Sequence, residues 1–384
     1  MLNTFPAILL AGSPHSGKSV LSYLLTMHLR RVGIDHYLVR AAPDGEGDWY
    51  LHGDFKRVQP LRLEHKGKFT NEFVQHMLER VQNRVLPLLV DIGGAPRDEQ
   101  WEILRACTHS VLLYRGEGDL KYWRPKLAEL ELLPVAELHS DLWGTDQLEK
   151  THPILQGTLP GLHRENHPVG MVFGALLDRL AGICHYDRTF LEAEHFRQMA
   201  LPILNERALA KMLKIEFRGD LPWWAGADLS ALPPHVRAGE EQAIYGRGPV
   251  WLAAALAVHV LPAPCWIFDS NLGWMKVPEI VSEDNGYLNV QVNEIPALEA
   301  VWVDISLKGL LPDPEGSFRF PEFTPSKGVV LNGKLPRWLF AALARKFAAI
   351  VPWVGIRDPR QHGIVLVSSQ VRQPQVGDIL PVPA

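Results

Sequence analysis

Residues 7 to 33 constrain the fold of this chain more than any other stretch. Ala7-Ile8-Leu9-Leu10-Ala11 is a short apolar run of buried-strand type. It leads directly into Gly12-Ser13-Pro14-His15-Ser16-Gly17-Lys18-Ser19, which is the G-x-x-x-x-G-K-[ST] pattern. Apolar residues at 20, 21, 24, 25, 29 and 32 then follow one helix face, and Gly33 supplies a stop. Strand, glycine-rich loop and helix are the context in which this pattern cradles phosphate. Gly12 and Gly17 let the backbone curl so that N–H groups converge on one anion, and the helix N-terminus adds positive potential. Lys18 is expected to reach the β- and γ-phosphates of ATP, and the Ser19 hydroxyl to ligate magnesium.

A second carboxylate-bearing strand is expected nearby. Val85-Leu86-Pro87-Leu88-Leu89-Val90-Asp91 is an apolar run closed by an acid and then Ile92-Gly93-Gly94. Asp91 is expected to hold the same magnesium through its water shell; the bland alternative is a strand-end Asp that only starts a turn. Strand-like runs at 35–40, 110–114 and 135–138 alternate with helical stretches at 70–85, 99–106 and 125–132, which predicts a parallel sheet closed by a helix near 172–183. Asp44, Glu46, Asp48 and Asp54 read as a solvated acidic loop. His163 and His167 have the i, i+4 spacing of a metal helix, but flanking Pro160-Gly161 and Pro168 make that segment loop.

Composition excludes several classes. The 384 residues, at ~150 per domain, predict about 2.6 domains. Lys+Arg is 39 against 43 Asp+Glu, a formal charge of −4, which excludes a basic surface gripping long nucleic acid. Three dispersed cysteines exclude a disulfide framework and a Cys-rich zinc site, and favour a reducing cytoplasm. Val250 to Phe268 approaches the ~20 apolar residues of a membrane helix, but Pro262 and Pro264 interrupt it. A buried helix followed by a buried strand is expected there, and no membrane.

The remainder contains a repeat. Ile215-Glu216-Phe217-Arg218-Gly219-Asp220-Leu221-Pro222 recurs as Ile305-Ser306-Leu307-Lys308-Gly309-Leu310-Leu311-Pro312. Gly246-Arg247-Gly248-Pro249-Val250-Trp251-Leu252 recurs as Gly333-Lys334-Leu335-Pro336-Arg337-Trp338-Leu339, each opening an Ala-rich helix. Trp266 matches Trp353, and Asp269 roughly matches Asp358. Two copies of about 90 residues are too few and too long for a solenoid and read as a fused dimer. Each Gly-basic-x-Pro turn before a helix is either an anion site or a tight turn with a solvent-facing cation.

Residues 298 to 380 resemble the CRISPR-associated Csx-three family, also called the Crn-three ring nucleases. The resemblance rests on Lys327-Gly328-Val329-Val330-Leu331-Asn332-Gly333, Pro336-x-Trp338-Leu339, Val354-Gly355-Ile356-Arg357-Asp358-Pro359-Arg360, Gly363 to Ser369 and Val376-Gly377-Asp378-Ile379. It implies α/β units of CARF-like Rossmann type that dimerise, bind cyclic tetra-adenylate and cleave it, with manganese at the nuclease site. It also implies an N-terminal P-loop domain of AAA type and assembly into homo-oligomers. Carried onto this sequence, Gly246, Arg247, Gly248, Pro249, Asn332, Gly333, Lys334, Pro336 and Ser368 are the expected messenger-binding residues. The family's helix histidine is missing between Trp338 and Ile350, whereas His259 stands on the first repeat's helix. Two readings follow: a composite catalytic site of His259, Asp269, Asp358 and Arg360, or one repeat that is purely structural.

The expected organisation is α/β throughout: a P-loop NTPase parallel sheet with helices on both faces over 1–185, then tandem units over 186–282 and 283–384 forming a pseudo-dimer. Three functions remain open at this level. They are a cyclic oligoadenylate ring nuclease fused to an ATPase, a receptor that binds the messenger without cutting it, and a nucleotide kinase whose C-terminal half binds the acceptor.

Overall fold

The computed structural model describes residues 5–41, 71–93, 96, 100–163, 170–219, 221–282, 288–307, 318–320 and 326–382. The acidic loop residues Asp44, Glu46, Asp48 and Asp54, and His167, lie outside them. The chain divides into two compact units, Met1–Ala193 with Ser270–Leu272, and Glu194–Asp269 with Gly273–Ala384. Both are mixed α/β with sheets rich in parallel strands.

In the first unit the order is β1 (Ala7–Gly12), α1 (Lys18–Arg31), β2 (Tyr37–Arg40), α2 (Asn71–Gln82), β3 (Leu88–Asp91), α3 (Gln100–Arg105), β4 (His109–Tyr114), α4 (Glu117–Glu129), β5 (Leu133–Asp141), β6 (Gln147–Lys150), β7 (Leu155–Pro160) and α5 (Met171–Cys184). Helix α6 (Arg188–Arg197) carries the chain across the boundary between the units. The sheet is seven-stranded, ordered β2-β3-β1-β4-β5-β7-β6. All its pairs are parallel except β6 with β7. β1 lies inside the sheet, between β3 and β4, with every residue buried, which is why its sequence is an unbroken apolar run. The chain winds from β1 to β3 and β2 on one side and to β4 and β5 on the other, so the sheet's switch point, and its ligand crevice, fall at the C-terminal end of β1.

β1 pairs directly with β3, bringing Leu10 opposite Asp91. Helix α4 differs from expectation. It begins at Glu117 behind Gly116, with Glu117 and Asp119 in its first turn, and runs through Pro125 rather than starting there. Acidic side chains favour that end electrostatically.

The second unit is built twice over one plan. The first copy is β8 (Ile203–Asn205), α7 (Glu206–Met212), a small hairpin of β9 (Phe217–Arg218) and β10 (Leu221–Pro222), β11 (Gln242–Tyr245), α8 (Val250–His259), β12 (Cys265–Asp269) and β13 (Gly273–Lys276). The second is β14 (Ile280–Ser282), β15 (Leu288–Ile295), β16 (Ala300–Leu307), β17 (Phe318–Phe320), β18 (Gly328–Gly333), α9 (Arg337–Ala348), β19 (Trp353–Asp358), β20 (Gly363–Ser369) and β21 (Ile379–Pro381). One sheet is ordered β13-β12-β11-β8 and the other β15-β16-β18-β19-β20-β21; β14 and β17 pair apart. β11 is parallel to β8 and β12, and β13 is antiparallel. β18 is likewise parallel to β16 and β19, and β20 is antiparallel.

The repeat therefore has a structural counterpart, with one correction. Residues 215–222 are not the counterpart of 305–312. They belong to the β9–β10 hairpin, whereas β8 takes the sheet position that β16 holds in the other copy. Helices α8 and α9 pack on each other, and Trp251 to Ala257 and Trp338 to Ala344 are buried on every side. A helix apolar all round requires such enclosure. In the last turn of α9, Arg345 donates from its guanidinium to the Ala257 and Ala263 carbonyls at 2.7 and 2.8 Å, satisfying groups at and just beyond the α8 C-terminus. Among the described residues no helix is long and apolar enough to cross a membrane.

Candidate functional site

In the first unit, the loop between β1 and α1 lies at the switch point. Gly17 caps α1 at φ 83°, and a Cβ there would sit 2.6 Å from Leu162 Cβ, so the loop can close only with glycine. Gly12, at φ 142°, lies so close to β4 that a Cβ would meet the Leu113 carbonyl at 2.2 Å. Lys18 folds back across this ring, donating to the Gly12 and Ser13 carbonyls at 2.7 and 2.8 Å. Burial pulls its ammonium down to about 8, against the opposing pull of Asp91 and Asp119.

Asp91 is fully buried. One oxygen accepts from Gly93 N at 3.3 Å; the other has no hydrogen-bond partner and lies 3.6 Å from Arg40 Nε. A buried carboxylate oxygen left without a hydrogen bond, beside the loop of Ser19, fits the donor set of a magnesium site. Two partners escaped the sequence reading. Arg40 ends β2 buried against Asp91. Asp119, in the first turn of α4, accepts from the Ser13 hydroxyl and from Arg115 N, tying the loop to β4. Neither belongs to a recognisable motif.

In the second unit the expected binding residues divide. Gly333 and Asp358 are the last residues of the parallel strands β18 and β19, each two residues past the paired Leu331 and Ile356, so both stand at the same C-terminal end of the sheet. Lys334 and Arg360 are exposed at that same end, and no side chain caps the N-terminus of α9. Asn332 donates to Asp304 of β16 at 2.5 Å. Two cations and an uncapped helix N-terminus together favour an anion. Asp358 itself is buried and committed: one oxygen accepts from Arg360 N at 2.8 Å, the other from Trp251 Nε1 at 2.6 Å. It joins the repeats and holds the turn that presents Arg360.

The corresponding turn of the first repeat is already filled. Glu206, buried at the start of α7, accepts from Gly248 N at 2.8 Å and from the Arg337 guanidinium. Arg337 also donates to the Gly246 carbonyl at 2.5 Å. The Gly246-Arg247-Gly248-Pro249 turn, expected to meet a messenger phosphate, thus holds a carboxylate of its own chain. In the second repeat the matching position is Ile305, because Asn205 pairs with Tyr245 as Asp304 pairs with Asn332. Ile305 offers no carboxylate to that turn.

The composite catalytic site does not assemble. His259 ends α8, eight residues and about 12 Å of helix rise beyond Trp251. It lies toward the N-terminal ends of the strands, with Nε2 3.2 Å from the Val236 carbonyl, whereas Asp269 and Asp358 lie at their C-terminal ends. Ser368 is misplaced for the same reason. It pairs with Val354, at the start of β19, while Asp358 at its end pairs with Gly363. Among the described residues no group of three or more His, Cys, Asp or Glu could hold a metal.

Residues 308–381 match the family model described as CRISPR-associated protein (Cas_csx3). The match runs through β18, α9, β19 and β20 and so contains both Lys334 and Arg360. It supports the resemblance over this segment and, with it, a CRISPR-associated role.

Proposed function

We propose that this chain is an ancillary protein of type III CRISPR defence whose tandem unit binds cyclic tetra-adenylate and opens it to linear adenylates, alongside a nucleotide-binding first unit. The observation that carries this is the family match over the segment in which Lys334, Arg360 and the α9 N-terminus face one end of the sheet. In this reading a messenger phosphate seats on the second repeat's turn, between the two cations. A ribose 2′-hydroxyl gives its proton to solvent and attacks the adjacent phosphorus in line; the P–O5′ bond breaks, the 5′-oxygen leaves and takes a proton from solvent, and a linear adenylate ending in a 2′,3′-cyclic phosphate results, while Arg360 neutralises the charge that builds on the phosphate oxygens. Asp358 positions Arg360 and carries no proton in the step. In the first unit, Gly12 to Ser19 would hold the phosphates of ATP, and Ser19 and Asp91 would hold magnesium, which would offset the phosphate charge.

A second reading, a receptor that binds without cleaving, is favoured by two features. Both Asp358 oxygens are engaged, and His259 lies at the opposite end of its helix. Incubation with cyclic tetra-adenylate, with and without MgATP, separates the two by mass spectrometry of the products. Linear adenylates support cleavage; bound, intact ring supports the receptor; no binding removes both.

A further inference from the structure

Beside the phosphate loop, the first unit has a cleft of about 630 Å³, lined by His15 and Gly17 of the loop, Arg115 after β4, and His139, Asp141 and Trp143 at and beyond the end of β5. Its size falls in the ~300–1,000 Å³ range of small-molecule sites. Three observations indicate what it takes. The first is polarity. Asp91 stands on β3, on one side of β1, whereas the cleft opens past β4 and β5, on the other. If magnesium and the terminal phosphates lie with Lys18 and Asp91, the opposite end of a bound nucleotide is directed into the cleft.

The second is continuity: the loop itself forms part of the cleft wall, so one molecule can span both. The third is Trp143. Its side chain is 89% exposed, an unusual placement for the largest aromatic residue. The turn beneath it is fixed, with Trp143 N donating to Asp141 Oδ1 at 3.1 Å and Gly144 N to the Asp141 carbonyl at 3.3 Å. An indole held in the open at a cleft wall is a stacking platform for a base.

We infer that this cleft is the nucleoside pocket of the first unit, with the base stacked on Trp143 and the ribose beside His15 and Arg115. The inference rests on the reading that Gly12 to Ser19 bind nucleotide phosphates. The test is calorimetric titration of the full chain with MgATP, MgGTP and magnesium tripolyphosphate, which carries the phosphates without a nucleoside. Wild type binds at least one of the two nucleotides tenfold or more tighter than tripolyphosphate. Trp143→Ala loses about tenfold or more for that nucleotide and nothing for tripolyphosphate, and Trp143→Phe retains most of the affinity. Because Trp143 is exposed, both variants melt with the wild type. The inference is overturned if wild type binds tripolyphosphate as tightly as both nucleotides, or if Trp143→Ala weakens all ligands equally or none. Failure of wild type to bind any of them removes the nucleotide reading itself, and the pocket with it.

Discussion

Lys18 is the residue whose state is most informative. Its ammonium is held at about 8 by burial, so in the free protein it loses its proton as pH rises through 8. Phosphate oxygens favour the charged form and raise that value, so binding at pH 8.5 takes up a proton and binding at pH 6.5 does not. Calorimetry in buffers of different ionisation enthalpy measures this uptake; none at pH 8.5 would mean that Lys18 does not meet the phosphates. Arg360 and Lys334 make a parallel prediction in the second unit. Each substitution by Ala weakens cyclic tetra-adenylate binding about tenfold, the scale of one charged hydrogen bond, with little change in melting temperature because both are exposed. The buried thiols, pushed up to about 12, are the contrast: Cys107, Cys184 and Cys265 should resist thiol reagents in the native protein and react only on unfolding.

At the scale of elements, β1, the loop and α1 were legible because their chemistry is contiguous in sequence. The β6–β7 pairing was not, since Gln147-Leu148-Glu149-Lys150 is polar and offers no apolar alternation. The contacts that define the tandem unit were also hidden. Trp251 and Asp358 are 107 positions apart, and Glu206 and Arg337 are 131 apart. No local pattern reports such pairings, although the start of α7 at Asn205-Glu206 carries an ordinary N-cap signature. These contacts bind the repeats together, and their removal has a defined cost. Trp251→Phe leaves one buried Asp358 oxygen without its donor, which costs about 1–3 kcal/mol. Glu206→Ala strands the largely buried Arg337 and costs about 3 kcal/mol. Urea unfolding followed by circular dichroism measures both, and a midpoint unchanged in either variant would show that the contact is not made.

Over the whole molecule, the proposed function has a chain of net charge −4 bind anions by local means. One proposed phosphate site is a glycine loop closed by a buried lysine, the other a helix N-terminus flanked by two exposed cations. The repeat gives the tandem unit two similar turns; Glu206 occupies the first, and among the described residues no carboxylate occupies the second. The duplication was readable from the Gly-basic-x-Pro-x-Trp-Leu pattern; the asymmetry was not, because a single Glu at the start of a different helix creates it. The central claim is that the second repeat binds the messenger. Equilibrium binding of labelled cyclic tetra-adenylate to wild type and to the Lys334→Ala, Arg360→Ala double variant tests it most directly. The account predicts binding by wild type and a loss of about 100-fold in the variant, with both proteins folded. Equal affinity in the two, or none in wild type, would contradict it.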